Sequence, residues 1–210
     1  IFLGVMSVTP DKDEIRENQA ESNGHRWGKQ IFFMGIAILG IGLFWMQKDH
    51  YKAYQQWNKA QMFYNNKAYE AALEVYEPLY PLLKHKPEFL FEAAQSLSKT
   101  GQYEKANEYL ERAVLLSSDP MLYYVMAKNE QCLGEYRQAE KHLLHAIDIL
   151  PERIYPYYLL MNLYTEPSYF QPAKLKMAID SVLTKKPKVE SSAIKEMKEK
   201  ARSMLNNTSI

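Results

Sequence analysis

Most of the chain consists of short segments in which apolar residues recur three or four positions apart. From Asp49 onward this spacing is typical of amphipathic α-helices separated by short polar turns. The helices that it predicts are 55–65, 69–83, 87–99, 103–116, 121–133, 136–149, 155–164 and 172–184. A further amphipathic pattern at 190–205 has Ser191 or Ser192 as a candidate N-cap. We therefore expect helical hairpins over 49–187, and over 188–210 a tail and a helix that caps the stack or contacts a partner.

The turn inside these hairpins is repeated along the chain. The segment from Gly101 to Ala106 (GQYEKA) recurs 33 residues later, from Gly134 to Ala139 (GEYRQA). Weaker copies begin at Lys67 and Ser168. The period resembles that of the tetratricopeptide repeat (TPR), a helix–turn–helix unit whose copies stack and bury their apolar faces on one another. The expected fold class is all-α: one transmembrane helix, a TPR-type α-solenoid of about four helical hairpins and a C-terminal capping helix.

Small residues occupy one position of the repeat, where two helices are expected to approach closely. These residues are Ala72, Ala106, Ala139 and Ala173. Apolar residues four positions later are expected to fill the space between the helices, and they are Tyr76, Leu110, Leu143 and Met177. The fourth repeat departs from the generic pattern at Pro167, Pro172 and Asp180, so we expect its second helix to pack less regularly.

An apolar segment lies upstream of the repeats. Residues 31–46 contain no charged or amide side chain, and as a helix they cover about 24 Å of a hydrocarbon core that is about 30 Å thick. Trp27 and Trp45 flank this segment as interfacial aromatics do, and Lys29 and Lys48 lie just outside it. We expect a transmembrane helix at 27–47, in contact with the lipid bilayer. The alternative is a buried helix of a soluble domain.

The residues before this segment provide weaker signals. The apolar residues 1–8 are expected to be the end of a preceding membrane span, because the chain starts in the manner of a fragment. The polar residues 9–26 are expected to form a loop. Lys12, Arg16, Arg26 and Lys29 precede the apolar residues 31–46, and three lysines follow them within twenty residues. This count slightly favours a cytoplasmic loop and extracytoplasmic repeats.

Composition excludes several classes of function. A formal net charge of +1 gives no field that would attract nucleic acid, and the single cysteine, Cys132, excludes a disulfide framework or a CxxC site. His142 and His145 lie three apart on a helix without a supporting carboxylate or cysteine nearby in the sequence, and are expected to be surface histidines. No phosphate-binding loop or hydrolase motif is present. We therefore expect no catalytic residue, metal or cofactor in this segment.

The first helices of the hairpins are expected to line a concave groove. Aligning the repeats places four aromatic residues in one row, namely Trp57, Phe91, Tyr124 and Tyr158. Four positions later comes a polar row of Gln61, Gln95, Lys128 and Asn162. Aromatic faces beside hydrogen-bonding groups suit an extended peptide or protein segment, or a glycan. The alternative is that the aromatic residues pack between neighbouring helices and the amides are solvated.

Three stretches of the chain resemble a particular protein family. Residues 150–164 (LPERIYPYYLLMNLY), residues 187–197 (PKVESSAIKEM), and a final apolar span followed directly by residues 54–60 (YQQWNKA) together resemble the C-terminal region of bacterial O-antigen ligase-like membrane proteins with a TPR tail. The resemblance covers essentially the whole chain.

The resemblance implies an inner-membrane, multi-pass glycosyltransferase that transfers polysaccharide from a lipid-linked donor. Catalysis in that family belongs to an upstream loop, so no catalytic residue carries over to this chain. The tail would bind or position a partner in the periplasm. The alternative is a stand-alone, membrane-tethered TPR scaffold that recruits a protein or peptide.

Overall fold

The computed structural model describes the backbone of residues 12–187 and 189–207, with side chains for 32–45, 48–187 and 189–206. Within these ranges the protein contains nine α-helices, one short 3₁₀ helix and no strand. The α-helices are α1 (Lys12–Asn65), α2 (Tyr69–Leu83), α3 (Pro87–Lys99), α4 (Tyr103–Val114), α5 (Pro120–Leu133), α6 (Tyr136–Ile149), α7 (Tyr155–Leu163), α8 (Pro172–Thr184) and α9 (Ser192–Asn207). The predicted all-α class is confirmed.

The helix boundaries follow from local chemistry. Prolines occupy the first turns of α3, α5, α7 and α8, where a missing N–H leaves no hydrogen bond unmade. Asp119 caps α5 by accepting a hydrogen bond from the backbone of Met121 at 2.9 Å. Gly134 ends α5 with a left-handed φ of 78°, and Gly101 has a φ of 82° in the turn before α4. Only glycine adopts these angles without steric cost, which explains why both repeated turns contain it.

The N-terminal part of the chain differs from the expectation. Residues 12–26, for which we predicted a polar loop, lie in α1. This stretch is rich in Glu, Lys, Arg, Gln and Ala, which favour helices even where no apolar periodicity is visible. The predicted end of a preceding span, at 1–8, lies outside the described residues.

The chain divides into two compact units, the first ending at Lys52 and the second beginning at Ala53. In the first unit, the described side chains from Phe32 to Trp45 are exposed. The helix from Phe32 to Asn65 is long and apolar enough to cross a membrane, judged by length and composition alone.

The second unit is a row of stacked helical hairpins. Each helix from α2 to α9 packs on the next in the chain, and α3 also contacts α5, α5 contacts α7, and α7 contacts α9. These alternate contacts bring the first helices of successive hairpins side by side. We call this surface the first-helix wall, and it comprises residues 53–65 of α1, together with α3, α5 and α7.

The core confirms three of the four predicted repeat positions. Ala72, Ala106 and Ala139 are buried between helices, as are Tyr76, Leu110 and Leu143. The residues expected at these positions in the fourth repeat are Ala173 and Met177, and for them the prediction is wrong. Ala173 is exposed, and Met177 is 69% exposed.

The fourth repeat has a different register because its internal turn is longer. A 3₁₀ turn at Pro167–Tyr169 lies between α7 and α8. Leu175 and Ile179, each 36 residues after its buried counterpart in α6, take the core positions instead. The prediction assumed a constant repeat length of about 34 residues, and it therefore assigned the wrong face of α8 to the core.

The half-buried carboxylate of Glu140 links this irregular repeat to the third one. Glu140 of α6 accepts hydrogen bonds from the hydroxyls of Tyr164 at 2.6 Å and Tyr169 at 2.7 Å, and from the ammonium of Lys174 at 2.7 Å. Burial by itself would raise the pKa of Glu140, but these three donors outweigh burial and lower that pKa. The ring of Tyr169 also stacks on Tyr136, with centroids 5.6 Å apart.

The last helix covers the open end of the stack. Helix α9 packs against α8 and α7, Ala201 is fully buried, and Ile194 and Met197 are half-buried against the core. The predicted capping role of this helix is therefore confirmed. Helix α9 separates the apolar core of the last hairpin from solvent, as the end of a solenoid requires.

Candidate partner-binding surface

The predicted aromatic row lies on the first-helix wall but is only partly open. Trp57, Phe91 and Tyr158 are half-buried, whereas Tyr124 is only 6% exposed and belongs to the core. The ring of Tyr124 meets that of Tyr155 edge-on, with centroids 5.2 Å apart. At Tyr124 the structure matches the alternative in which the aromatic residues pack between neighbouring helices.

Trp57 is fixed by contacts with the next hairpin. Its indole N–H donates to the Glu92 carboxylate at 2.7 Å, and its ring meets Phe89 edge-on at 5.7 Å. The same carboxylate accepts from Gln61 at 2.8 Å and from the hydroxyl of Tyr76 at 3.1 Å. Burial and the neighbouring Glu92 charge raise the pKa of Tyr76, so this hydroxyl stays protonated as a donor.

Glu92 was not among the predicted site residues. It follows Phe91, one member of the aromatic row, and three donors from α1 and α2 converge on it. Its position in the sequence resembles that of any exposed helical glutamate, so only the packing of neighbouring hairpins identifies its role.

The amides of the polar row also form bonds between neighbouring elements. Gln95 accepts a hydrogen bond from the hydroxyl of Tyr64. Asn162 accepts from the ammonium of Lys200 at 2.8 Å, and the same ammonium lies 5.4 Å from the ring centroid of Tyr158. These amides are held in place by their neighbours and are not freely solvated.

Lys128 is the exception in this row. It lies on α5, in the middle of the first-helix wall, and its side chain is exposed. Among the residues that the structure describes, no hydrogen bond or ion pair involves its ammonium. The carboxylates of Glu92 on α3 and of Glu166, which follows α7, each accept hydrogen bonds from neighbouring side chains. The centre of the wall therefore presents an unpaired positive charge.

The two histidines of α6 do not form a metal site. His142 contacts the buried carboxylate of Glu130 at 2.9 Å, and His145 meets the ring of Tyr123 at 4.7 Å. We expected no supporting carboxylate, but α5 supplies one through tertiary packing. Across the described ranges, no cluster of three or more His, Cys, Asp or Glu residues could hold a metal ion.

Comparison with known proteins agrees with this architecture. A family profile described as "Anaphase-promoting complex, cyclosome, subunit 3" matches residues 65–146, and the structure of MamA from residue 41 to the end, from Desulfovibrio magneticus RS-1, aligns with a TM-score of 0.58. The chain carries tetratricopeptide-type repeats. That MamA chain is 19% identical, and the alignment covers 76% of this TPR chain and 98% of MamA. No curated protein matches the sequence.

Two further solved structures align with this chain. A further crystal structure of MamA aligns with a TM-score of 0.56 and 17% identity, over 71% of this chain and 96% of that one. The Yersinia enterocolitica chaperone SycD, in complex with a peptide of the translocator YopD, aligns with a TM-score of 0.44 and 16% identity, over 71% of this chain and 92% of that one. None of these matches is to an O-antigen ligase. The two MamA alignments support the TPR-type fold alone, and at identities below 25% they leave the partner open.

Proposed function

We propose that this protein is a TPR scaffold that binds an extended segment of a protein partner along the first-helix wall. The observation that supports the proposal is the unpaired ammonium of Lys128 in the middle of a wall on which Gln61, Glu92 and Asn162 are held by neighbouring elements. Such a surface is largely organised before binding, so fewer side chains have to be ordered when the partner arrives.

The charge of the wall favours a partner segment with carboxylate side chains. Lys128 has no carboxylate partner of its own, whereas the Glu92 and Glu166 carboxylates already accept hydrogen bonds. A basic segment that paired with Glu92 or Glu166 would therefore have to displace existing bonds, whereas an acidic segment that paired with Lys128 would not. Complementary charge of this kind contributes to specificity more than to affinity.

Peptide titration tests the proposal. The full chain in lipid nanodiscs is titrated with fluorescent peptides of about twelve residues, extended over about 40 Å, in which Ser alternates with Asp, Asn or Lys. We expect the Asp peptide to bind tightest. Lys128→Ala should weaken it by up to about five-fold, because an exposed charge pair contributes up to about 1 kcal/mol.

Lys141→Ala is the matched control, because Lys141 is an exposed lysine on α6, outside the first-helix wall. This variant should bind the Asp peptide like the unmodified protein. Equal affinity for all three peptides, or equal weakening in both variants, would refute binding through the wall.

We further propose that the apolar part of α1 anchors the protein in a membrane. The proposal is supported by the exposed apolar side chains of Phe32–Trp45 and by the length of the helix. Ile38→Arg combined with Leu39→Arg should release the protein from phospholipid vesicles on alkaline extraction, because each Arg near the centre of a span costs about 2.5–3.5 kcal/mol. Asp49→Arg is the control, and equal retention of both variants would argue against a spanning helix.

Chemical labelling of one cysteine can show on which side of the membrane the repeats lie. Cys132 is the one cysteine of the chain, it lies in the repeats and it is exposed. A membrane-impermeant maleimide should label it in right-side-out vesicles if the repeats are extracytoplasmic. Labelling confined to inside-out vesicles would place the repeats in the cytoplasm.

The glycosyltransferase hypothesis is a second candidate. It rests on the resemblance of residues 150–164 and 187–197 to O-antigen ligase-like proteins, and on an apolar helical segment directly before the repeats. In that case the occupant of the wall would be a glycan or an assembly partner of the enzyme. About ten apolar spans encoded upstream of Ile1 would support this hypothesis, and one or none would remove it.

A further inference from the structure

A cavity separate from the first-helix wall lies near the end of the repeat array. It occupies about 640 Å³ between the turn that joins α6 to α7 and the segment that leads into α9. Its apolar lining is provided by Leu150, Pro151, Ile154, Val189, Ile194 and Met197. The volume falls within the range of small-molecule sites. Val189 is 76% exposed in this lining, so a ligand would remove apolar surface from water.

The cavity has a positive group at its edge. Arg153 lines it, and no hydrogen bond or ion pair to its guanidinium occurs within the described ranges. Burial raises the pKa of Tyr124, and the charge of Arg153 offsets part of that rise. The guanidinium therefore lies within electrostatic reach of the Tyr124 hydroxyl.

The start of α9 adds to this positive character. Ser191 caps the helix by accepting a hydrogen bond from the backbone of Ile194 at 3.3 Å. Ala193, in the first turn of α9, also lines the cavity. The first turn of a helix attracts anions through its backbone N–H groups. The Glu152 carboxylate also lines the cavity, and its negative charge repels anions.

The composition of the lining also favours a hydrocarbon chain over a peptide as the ligand. The described lining residues include no Asn or Gln side chain, so the amides of a peptide backbone would find only the Tyr155 and Ser191 hydroxyls as neutral polar side-chain partners. A hydrocarbon body needs no such partners and gains free energy from every buried methylene. Among the described residues, the lining thus combines an apolar chamber with the cationic side chain of Arg153.

We propose that this cavity binds a linear carboxylic acid, with its carboxylate on Arg153 and its hydrocarbon tail against Ile154, Ile194 and Met197. The site lies outside the first-helix wall, so it does not depend on the proposed peptide binding. A charge-assisted contact to a guanidinium fixes the head group, and the apolar lining accepts the tail.

Methyl NMR of the full chain in nanodiscs tests this site. The protein, labelled at Ile and Met methyl groups, is titrated with octanoate, octanol and octylammonium. Octanoate should shift the methyl signals of Ile154, Ile194 and Met197, with an apparent affinity about five-fold higher than that of octanol, as for a partly exposed charge pair.

Arg153→Gln should remove the preference for octanoate over octanol, whereas Glu152→Gln should increase it. Arg137→Gln is the matched control, because Arg137 is an exposed arginine of α6 outside this cavity, and it should leave the preference unchanged. Ala193→Trp replaces an exposed residue of the lining and should abolish the shifts while the circular dichroism spectrum and melting temperature stay the same.

Three results would overturn the proposal. Equal binding of octanoate and octanol would show an apolar cavity without an acid site, and preference for octylammonium would assign the head-group contact to Glu152. Shifts spread over methyl groups throughout the protein would show partition into the nanodisc instead of a site.

Discussion

Glu140→Gln is expected to loosen the fourth hairpin without unfolding the rest of the array. The Glu140 carboxylate on α6 accepts hydrogen bonds from Tyr164 of α7, Tyr169 of the 3₁₀ turn and Lys174 of α8. Glutamine keeps the size of the side chain but removes its charge, and its amide nitrogen can no longer accept. Neighbouring hairpins of a solenoid stabilise each other through their interface, so the loss should appear at the interface between the third and fourth hairpins.

The magnitude follows from the burial of each donor. Tyr164 is only 3% exposed, so its hydroxyl loses a charge-assisted hydrogen bond that contributes about 1.5–3 kcal/mol. The Lys174 side chain is 47% exposed, and solvent screening limits its contribution to about 0–1 kcal/mol. We therefore expect Glu140→Gln to cost about 2–4 kcal/mol of unfolding free energy for the fourth hairpin.

Hydrogen exchange of the full chain in nanodiscs measures this cost locally. Amides of α7 and α8 should exchange at least about thirty-fold faster in Glu140→Gln, since every 1.4 kcal/mol corresponds to a factor of ten. Amides of α3 and α4 should be unchanged. Glu111→Gln on the exposed face of α4 is the control and should stay within about 0.5 kcal/mol of the unmodified protein.

A double-mutant cycle with Tyr164→Phe isolates the hydrogen bond itself. If the interaction is as the structure shows, the two changes should couple by about 1–2 kcal/mol. Additive effects of the two substitutions would refute the reasoning, because they would mean that Glu140 and Tyr164 do not act through each other.

Three further predictions concern the register, the pH dependence and a helix cap. Leu110→Ala should lower the free energy of unfolding in urea by about 2–5 kcal/mol, because Leu110 is fully buried. Met177→Ala should lower it by less than about 1 kcal/mol, because Met177 is exposed. Equal losses of stability in the two variants would mean that Met177 is a core residue, as the regular repeat spacing predicted. Because the folded pKa of Glu140 is lowered, its carboxylate stabilises the protein at neutral pH. That stability should decline as the pH falls below the ordinary value of 4.5, measured by urea unfolding between about pH 7 and pH 3, and Glu140→Gln should flatten the decline. Asp119→Ala should cost about 1 kcal/mol, and amide exchange confined to the first turn of α5 would show that the lost cap is responsible.

Much of the hairpin architecture is visible in the sequence. The bounds of α2, α3, α6 and α8 agree with their predicted ranges to the residue. Proline at a helix start and glycine at a helix end act over a few residues, so they can be recognised without knowledge of the fold. Charged and amide side chains in residues 12–26 gave no apolar period, and their helix was therefore missed.

The candidate site was less predictable. The two rows of the first-helix wall were placed by counting repeat positions, but counting cannot show which side chains neighbouring hairpins will cover. Tyr124 is buried against Tyr155, and Gln61 bonds to Glu92, because α3 and α7 pack beside the helices that carry the predicted residues. Only Lys128 combines a predicted position with an exposed, unpaired side chain.

The repeat period, the turn glycines and the helix starts were determined by the sequence alone, because each depends on dihedral preferences and apolar spacing within a few residues. The tertiary structure decided the register of α8, the convergence of three donors on Glu140 and the cavity at Arg153. These features depend on residues far apart in the chain, whose distances are set by how hairpins stack and how long each turn is. A two-residue shift at Pro167–Tyr169 turned a different face of α8 into the core.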